Sequence, residues 1–310
     1  LSLLVVGTVA FDAIETPFGK TDKITGGAAN YICWAASNFS NDISLIAVVG
    51  DDFPQSEIAE LRNRGVSTDG LQIKEGEKSF FWSGKYHMNM NSRDTLVTEL
   101  NVLADFDPII PAHQKNPEFV MLGNLTPSVQ LRVLEQLESK PKLVAMDTMN
   151  FWIGDENFKK DLDVVISQTD ILIINDEEAR MLADHHSLVK AARQIMEQGP
   201  KYLVIKKGEH GALLFHENHV FFAPALPLEE VFDPTGAGDT FAGGFMGYLA
   251  KTGDISFNNM KRAIIYGSAM ASFCVEKFGN QRLKELSIND IDQRIQEFVN
   301  LVQFDIELTQ

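Results

Sequence analysis

Short, wholly apolar runs alternate along this chain with longer segments whose apolar residues recur at helical spacing. The runs are LLVV from Leu3, SLIAVVG from Ser44, EFVML from Glu118, KLVAMD from Lys142, DILIIN from Asp170 and YLVIK from Tyr202. Between them the pattern predicts helices over 28–39, 54–64, 127–137, 155–167 and 188–198, with another starting at Asp176. Strands without polar alternation must be buried on both faces. When each is followed by an amphipathic helix, the strands run parallel with helices above and below. The expected fold class is therefore α/β, a doubly wound, mostly parallel sheet sandwiched by helices.

Two stretches break the rhythm. Phe80 to Tyr86 and Thr95 to Leu103 read as strands joined by a polar turn over 89–94, inserted between two βα units. They are expected to form a small β lid, with lid segments at about 11–25 and 77–104 of a single 1–310 domain. The second break, ALLFHENHVFFAPA, reads as a hairpin turning at Glu217 and Asn218. The opening run LSLLVVGTVAF lacks a basic region and a small-residue cleavage site, so it is expected to be a buried strand.

Composition narrows the function. With 27 Lys+Arg against 43 Asp+Glu, the formal charge is −16, which argues against gripping nucleic acid or anionic lipid. No apolar run approaches the roughly 18 residues of a membrane span. Cys33 and Cys274 stand far apart without a CxxC pair, so neither a disulfide scaffold nor a cysteine zinc site is expected, and a cytoplasmic setting is. Several apparent motifs fail. Gly19-Lys20-Thr21 ends like a phosphate-binding loop, but Ile14 stands where its first glycine belongs. HENH lacks the spacing of a zinc helix, and GAGDTF has Phe241 where a dinucleotide fingerprint needs glycine.

The most informative segment is Asp233-Pro-Thr-Gly-Ala-Gly-Asp239-Thr-Phe, followed by AGGFMGYLA. Small residues opening a helix leave first-turn N–H groups and the positive end of the helix dipole aimed at one spot, which suits an anion. Asp239, in that first turn, reads either as a helix cap or as a base beside the anion. Phosphoryl transfer needs both features: donors facing the transferred group and a carboxylate that orients a hydroxyl.

This segment resembles the C-terminal signature of the PfkB family of carbohydrate kinases, with the ribokinase-like fold, and further landmarks of that family recur in order from Gly7 to about Gly279. The resemblance implies an ATP-dependent kinase acting on an alcohol of a small polyhydroxylated acceptor, a sugar first and a nucleoside as the alternative. A sugar-binding regulator on the kinase scaffold is the non-catalytic alternative. It implies Asp239 as catalytic base and Gly236, Ala237 and Gly238 as the anion hole. Asp12, Gly26, Gly27 and Asn30 match positions that bind acceptor hydroxyls; on their own, the glycines also read as a tight turn and Asp12 as a loop residue. Asn175 to Glu178 matches the NxxE motif, with Glu178 holding Mg2+ through water and Asn175 near the nucleotide; the same residues read as a capping box. Lys206, Gly208 and Gly211 are placed against the nucleotide. Lys206 stands where threonine is frequent and reads as a phosphate contact or as a surface charge. Asp233 reads as a turn cap or as part of a monovalent-cation (K+) site. After Asp147 the chain has Phe151-Trp152 where some members carry an arginine, which weakens the case for a phosphorylated acceptor. The lid residues Phe80, Phe81, Trp82, Tyr86, Met88 and Met90 read as a cover over the acceptor, a lid core or a homodimer contact. Neither nucleic acid nor a membrane is expected as partner.

Overall fold

A computed structural model describes residues 1–303. Its strands are β1 (Leu3–Val6), β2 (Ala10–Thr16), β3 (Gly19–Lys20), β4 (Ile24–Gly26), β5 (Ile43–Gly50), β6 (Val66–Lys74), β7 (Phe81–Tyr86) and β8 (Arg93–Glu99). They continue with β9 (Phe119–Leu122), β10 (Leu143–Asp147), β11 (Ile171–Asn175), β12 (Tyr202–Lys206), β13 (Ala212–His216) and β14 (His219–Ala223). Nine form one sheet in the order β14-β13-β12-β11-β10-β9-β1-β5-β6, and the other five form a second, smaller sheet. The large sheet is parallel from β12 to β6; β13 runs antiparallel to β12, and β14 antiparallel to β13.

Side-chain alternation explains why the central strands are apolar throughout. Leu3, Val5, Met121, Ala145, Ile173 and Val204 face the helices at Ala28–Ala36, Ala237–Thr252 and Phe257–Cys274. Their neighbours Leu4, Val6, Leu122, Met146, Ile174 and Ile205 face the helices at Pro127–Glu135, Glu156–Ser167, Asp176–Ala183 and Leu188–Met196. Each strand thus feeds two cores, as the doubly wound reading requires.

Three boundaries depart from the sequence expectation. The opening apolar run is two strands rather than one. The chain leaves the large sheet at Gly7, whose Cα is so close to Ala29 that an added Cβ would lie 3.0 Å from the Ala29 Cβ, and β2 then joins the small sheet. The second lid strand is Arg93–Glu99, and 101–103 is a 3-10 turn, so the joining turn falls earlier than 89–94. Strand β6 was not anticipated. As an edge strand it has one neighbour, and its exposed positions admit the polar residues of VSTDGLQIK that mask the strand pattern.

Candidate active site

Strands β10, β11 and β12 end on Asp147, Asn175 and Lys206, so polar side chains collect at one carboxyl edge of the sheet. Two helix N-termini point to the same edge. The helices 28–36 and 237–252 lie parallel and very close: a Cβ at Gly247 would come within 2.7 Å of the Ala36 Cα, and one at Gly243 would meet the Ile32 backbone. The glycines of AGGFMG are therefore a packing face, and the close approach brings both N-termini to one cleft.

On one side of that cleft is the turn entering the helix 237–252. Gly236 has φ 75°, and a Cβ there would lie 2.5 Å from the Tyr31 ring, so both backbone and packing require glycine. The Ala237 N–H is directed back to the Pro234 carbonyl at 3.2 Å. The amides of Gly236, Gly238 and Asp239 have no backbone acceptor among the described residues. Beside them the Lys206 ammonium is 3.1 Å from an Asp147 carboxylate oxygen and 3.1 Å from where a Gly238 Cβ would be. Lys206 is therefore no free surface charge. Against the cost of burial, Asp147, Glu178 and Asp239 hold its pKa above the usual lysine value. Burial, reinforced by the charge of Asp147, raises the Asp239 carboxyl to about 7, with Lys206 and Arg93 acting the other way.

The opposite side gathers Asp12, Gly26, Gly27, Asn30 and Tyr31. Asp12 lies on β2 beside β4, directly over Gly26, where any side chain would collide with its carboxylate. Burial, with help from Asp233, raises its pKa to about 7, and the Gly27 amide partly offsets this. Gly27, at φ 93°, packs its Cα against the Thr8 backbone, and Thr8 holds the first-turn amides: Ala28 N–H donates to its hydroxyl at 2.8 Å and Ala29 N–H to its carbonyl at 2.9 Å. The Asn30 Nδ2 and the Tyr31 hydroxyl are buried and have no hydrogen-bond partner among the described residues. Unpaired polar atoms of this kind beside a buried carboxylate are costly unless a ligand's hydroxyls complete them.

The small sheet borders this arrangement. The Thr235 hydroxyl donates to the Tyr86 hydroxyl at 3.1 Å, joining β7 to the loop before Gly236. Trp82, opposite Asp12 in the β2–β7 register, lies flat over Gly84, and its Nε1 donates to Thr95 at 3.3 Å. At the sheet's far end Asn91 donates to Glu209 at 3.0 Å and lies against Gly208, which has φ 55°.

Other expected site residues have structural work of their own. Asn175 and Glu178 form a reciprocal capping box, with the Glu178 amide donating to Asn175 Oδ1 at 2.8 Å and the Asn175 amide to Glu178 Oε2 at 2.7 Å. Burial and the nearby Asp147 still raise the Glu178 pKa to about 7. Asp233 accepts the Thr235 amide on one oxygen and the Gly279 amide on the other, both at 2.8 Å, which is the turn-capping reading. Gly211, at φ 87°, is needed because its Cα abuts the Ala223 carbonyl. Trp152 donates to Asn124 Oδ1 at 2.9 Å and is thereby tethered where an arginine was absent. The sequence reading left Thr8, Tyr31, Arg93 and Asp147 out of the site. Asp147 shared the strand-end position of Asn175 and Lys206 and was the recoverable one; Arg93 carried no motif.

A family model described as pfkB family carbohydrate kinase matches residues 2–286. A cytidine kinase of Thermococcus kodakarensis is 33% identical over 251 residues, covering 79% of this chain and 87% of that protein. Among solved structures, a nucleoside kinase of Burkholderia thailandensis in complex with inosine superposes with a TM-score of 0.77 at 19% identity, covering 96% of this chain and 99% of that one. An E. coli protein assigned as ribokinase II, in complex with ATP and Mg2+, superposes at 0.79 with 19% identity, covering 95% and 99%.

Proposed function

The chain belongs to the pfkB family of carbohydrate kinases and is a phosphotransferase, and on that premise we propose a reaction in which Asp239 deprotonates an acceptor alcohol as it attacks the γ-phosphorus of ATP. The observation that carries this reading is the position of the Asp239 carboxylate. Burial raises its pKa, the charges of Asp147, Lys206 and Arg93 all act on it, and its own charge acts on Asp12 on the other side of the cleft. A bond forms between the acceptor oxygen and phosphorus, the bond to the β-phosphate oxygen breaks, and the hydroxyl proton passes to Asp239. The amides of Gly236 and Gly238, with Ala237 between them, face the charge on the moving group, and Lys206 faces the phosphate that leaves with ADP. Asp12, Gly26, Gly27 and Asn30 hold the acceptor; Asn175, Gly208 and Gly211 border the nucleotide.

The buried Glu178 carboxylate, with Oε1 lacking a protein partner among the described residues, suits a hard cation held through water. Mg2+ bound there would neutralise phosphate charge. Asp233 is fully buried, and among the described residues no cationic side chain acts on it, so K+ at its carboxylate would offset that charge. Replacing K+ by choline is then expected to slow turnover.

The half-buried indole of Trp82, the strand neighbour of Asp12, favours a nucleoside as acceptor over a free sugar, since a planar base can stack there while the ribose meets Asp12 and Asn30. Assaying ADP release with cytidine, inosine, ribose and fructose checks this, with higher kcat/KM expected for the nucleosides. The segments 11–25 and 77–104 act as the lid. Its edge strand β8, with Leu96 and Val97 exposed, is the proposed homodimer contact, to be checked by sedimentation. No helix among the described residues is long and apolar enough to cross a membrane. The reading places the enzyme in the cytoplasm, where ATP is available and the free, buried Cys33 and Cys274 stay reduced. For the reaction itself, Asp239→Asn is expected to lower kcat by about 10²- to 10⁴-fold while calorimetry shows acceptor affinity retained. Near-normal kcat in that variant would refute the mechanism.

A further inference from the structure

Resting on the kinase reading above, we propose that Tyr31 is a specificity-determining residue: its buried hydroxyl donates a hydrogen bond to one oxygen of a vicinal diol on the acceptor, so that the site selects ribonucleosides over deoxynucleosides.

Tyr31 follows Asn30 in the first turn of the helix 28–36, with its amide donating to the Gly27 carbonyl at 3.1 Å. Three carbons of its ring lie 2.5 Å from where a Gly236 Cβ would be, so the ring reaches from the acceptor side of the cleft to the amide turn. Phenylalanine would make that contact equally well. The hydroxyl is surplus to the packing, and it is buried without a hydrogen-bond partner among the described residues. Asp12, Asp233 and Tyr86 lie close enough for their charges to act on it. Two of these are already engaged: Asp233 accepts the Thr235 amide on one oxygen and the Gly279 amide on the other, and the Tyr86 hydroxyl is joined to Thr235. The third, Asp12, belongs to the acceptor side. An orphan hydroxyl in such a place is costly to the free protein, and a ligand that completes it removes the cost.

The donors and acceptors left open define the chemistry of that ligand. Tyr31 O–H and Asn30 Nδ2 are two unpaired donors. The Asp12 carboxylate, directly over Gly26, has lone pairs for further hydrogens beyond the one it takes from the Gly27 amide. Two neighbouring hydroxyls satisfy all three residues together: each oxygen accepts from one donor, and both hydrogens go to the carboxylate. A single alcohol leaves one donor unpaired. An anion is opposed by Asp12 and Asp233, which act on Tyr31 from two sides. A nucleoside meets this pattern with its 2′- and 3′-hydroxyls and keeps its 5′-hydroxyl free as the alcohol to be phosphorylated. Losing either ring hydroxyl strands a buried donor, and a site built that way discriminates far more strongly than one that reads shape alone.

The test compares Tyr31→Phe with the unmodified enzyme on cytidine, 2′-deoxycytidine and 3′-deoxycytidine, by ADP release at saturating Mg-ATP. Tyr31→Phe is expected to lower kcat/KM for cytidine by about 10- to 100-fold, mainly through acceptor KM, with the KM for ATP unchanged. For one of the two deoxynucleosides, the one lacking the hydroxyl that Tyr31 reads, the loss should shrink to less than about threefold. Calorimetry with cytidine, inosine and ribose in the absence of ATP reads the same contact without turnover, and Tyr31→Phe should weaken each. The free Tyr31→Phe protein should melt at or above the temperature of the unmodified one, because an unpaired buried hydroxyl is gone, while the rise in melting temperature produced by cytidine should be smaller. Unchanged kcat/KM for cytidine, an equal loss on all three nucleosides, or a lower melting temperature of the free variant overturns the inference; the last would mean that the hydroxyl already has a partner in the free protein, such as a bound water. An unmodified protein that binds none of cytidine, inosine and ribose overturns it too. Failure of the kinase reading is a separate result, namely no ADP release by the unmodified protein with any acceptor.

Discussion

The chemistry of single residues here is set by which carboxylates the fold removes from water. Asp239 titrates near 7 because burial and the Asp147 charge disfavour its ionised form. A base must be ionised to accept a proton, so kcat is expected to rise with pH through about 7. Lys206 counteracts that shift. In Lys206→Met the acid limb should therefore move to higher pH and the KM for ATP should increase, as read from pH-rate profiles. Gly26 serves as a complementary probe. Alanine there would push against the Asp12 carboxylate, so Gly26→Ala is expected to raise acceptor KM at least about tenfold while ATP KM stays unchanged. The signature glycines were visible in the sequence as a motif. That Tyr31 is what forbids a side chain at 236 was not, since 205 residues of chain separate the two positions.

At the scale of elements, the site depends on two parallel helices held closer than ordinary side chains allow. A methyl at Gly247 would come within 2.7 Å of Ala36. Gly247→Ala should therefore cost about 1–3 kcal/mol in chemical denaturation, and because it spreads the two N-termini it should lower kcat as well. The small sheet is joined to the signature loop through Tyr86 and Thr235. Removing that hydroxyl in Tyr86→Phe costs about one net hydrogen bond, roughly 1 kcal/mol. The expected result is a several-fold fall in kcat with little change in melting temperature, by steady-state assay and calorimetry. Most helices and central strands were legible because burial on two faces leaves an unbroken apolar signature. Strand β6 and the limits of β8 were not, because edge and exposed strands tolerate polar residues at every second position or more.

For the whole molecule, burying so much negative charge in one cleft sets function against stability. Burial holds the Asp12 carboxyl at about 7, well above the usual carboxylate range. A raised carboxyl pKa contributes stability that is full below about 4 and is lost as pH rises through 7, because folding then requires an ionised group out of water. Asp12→Asn is therefore expected to raise the melting temperature, by an amount that grows between pH 4 and pH 8, while weakening acceptor binding; a shift that is the same at both ends of that range would contradict this account. The sequence by itself determined the layered α/β architecture, the hairpin and the signature turn, because apolar periodicity and small-residue motifs are local properties of the chain. Only the tertiary structure decided that Asp147 pairs with Lys206, that Tyr31 braces Gly236, that Asp233 accepts the Gly279 amide and that the charge of Arg93 reaches Asp12 and Asp239. Each of these depends on distances between residues far apart in sequence, set by the packing of helices and sheets.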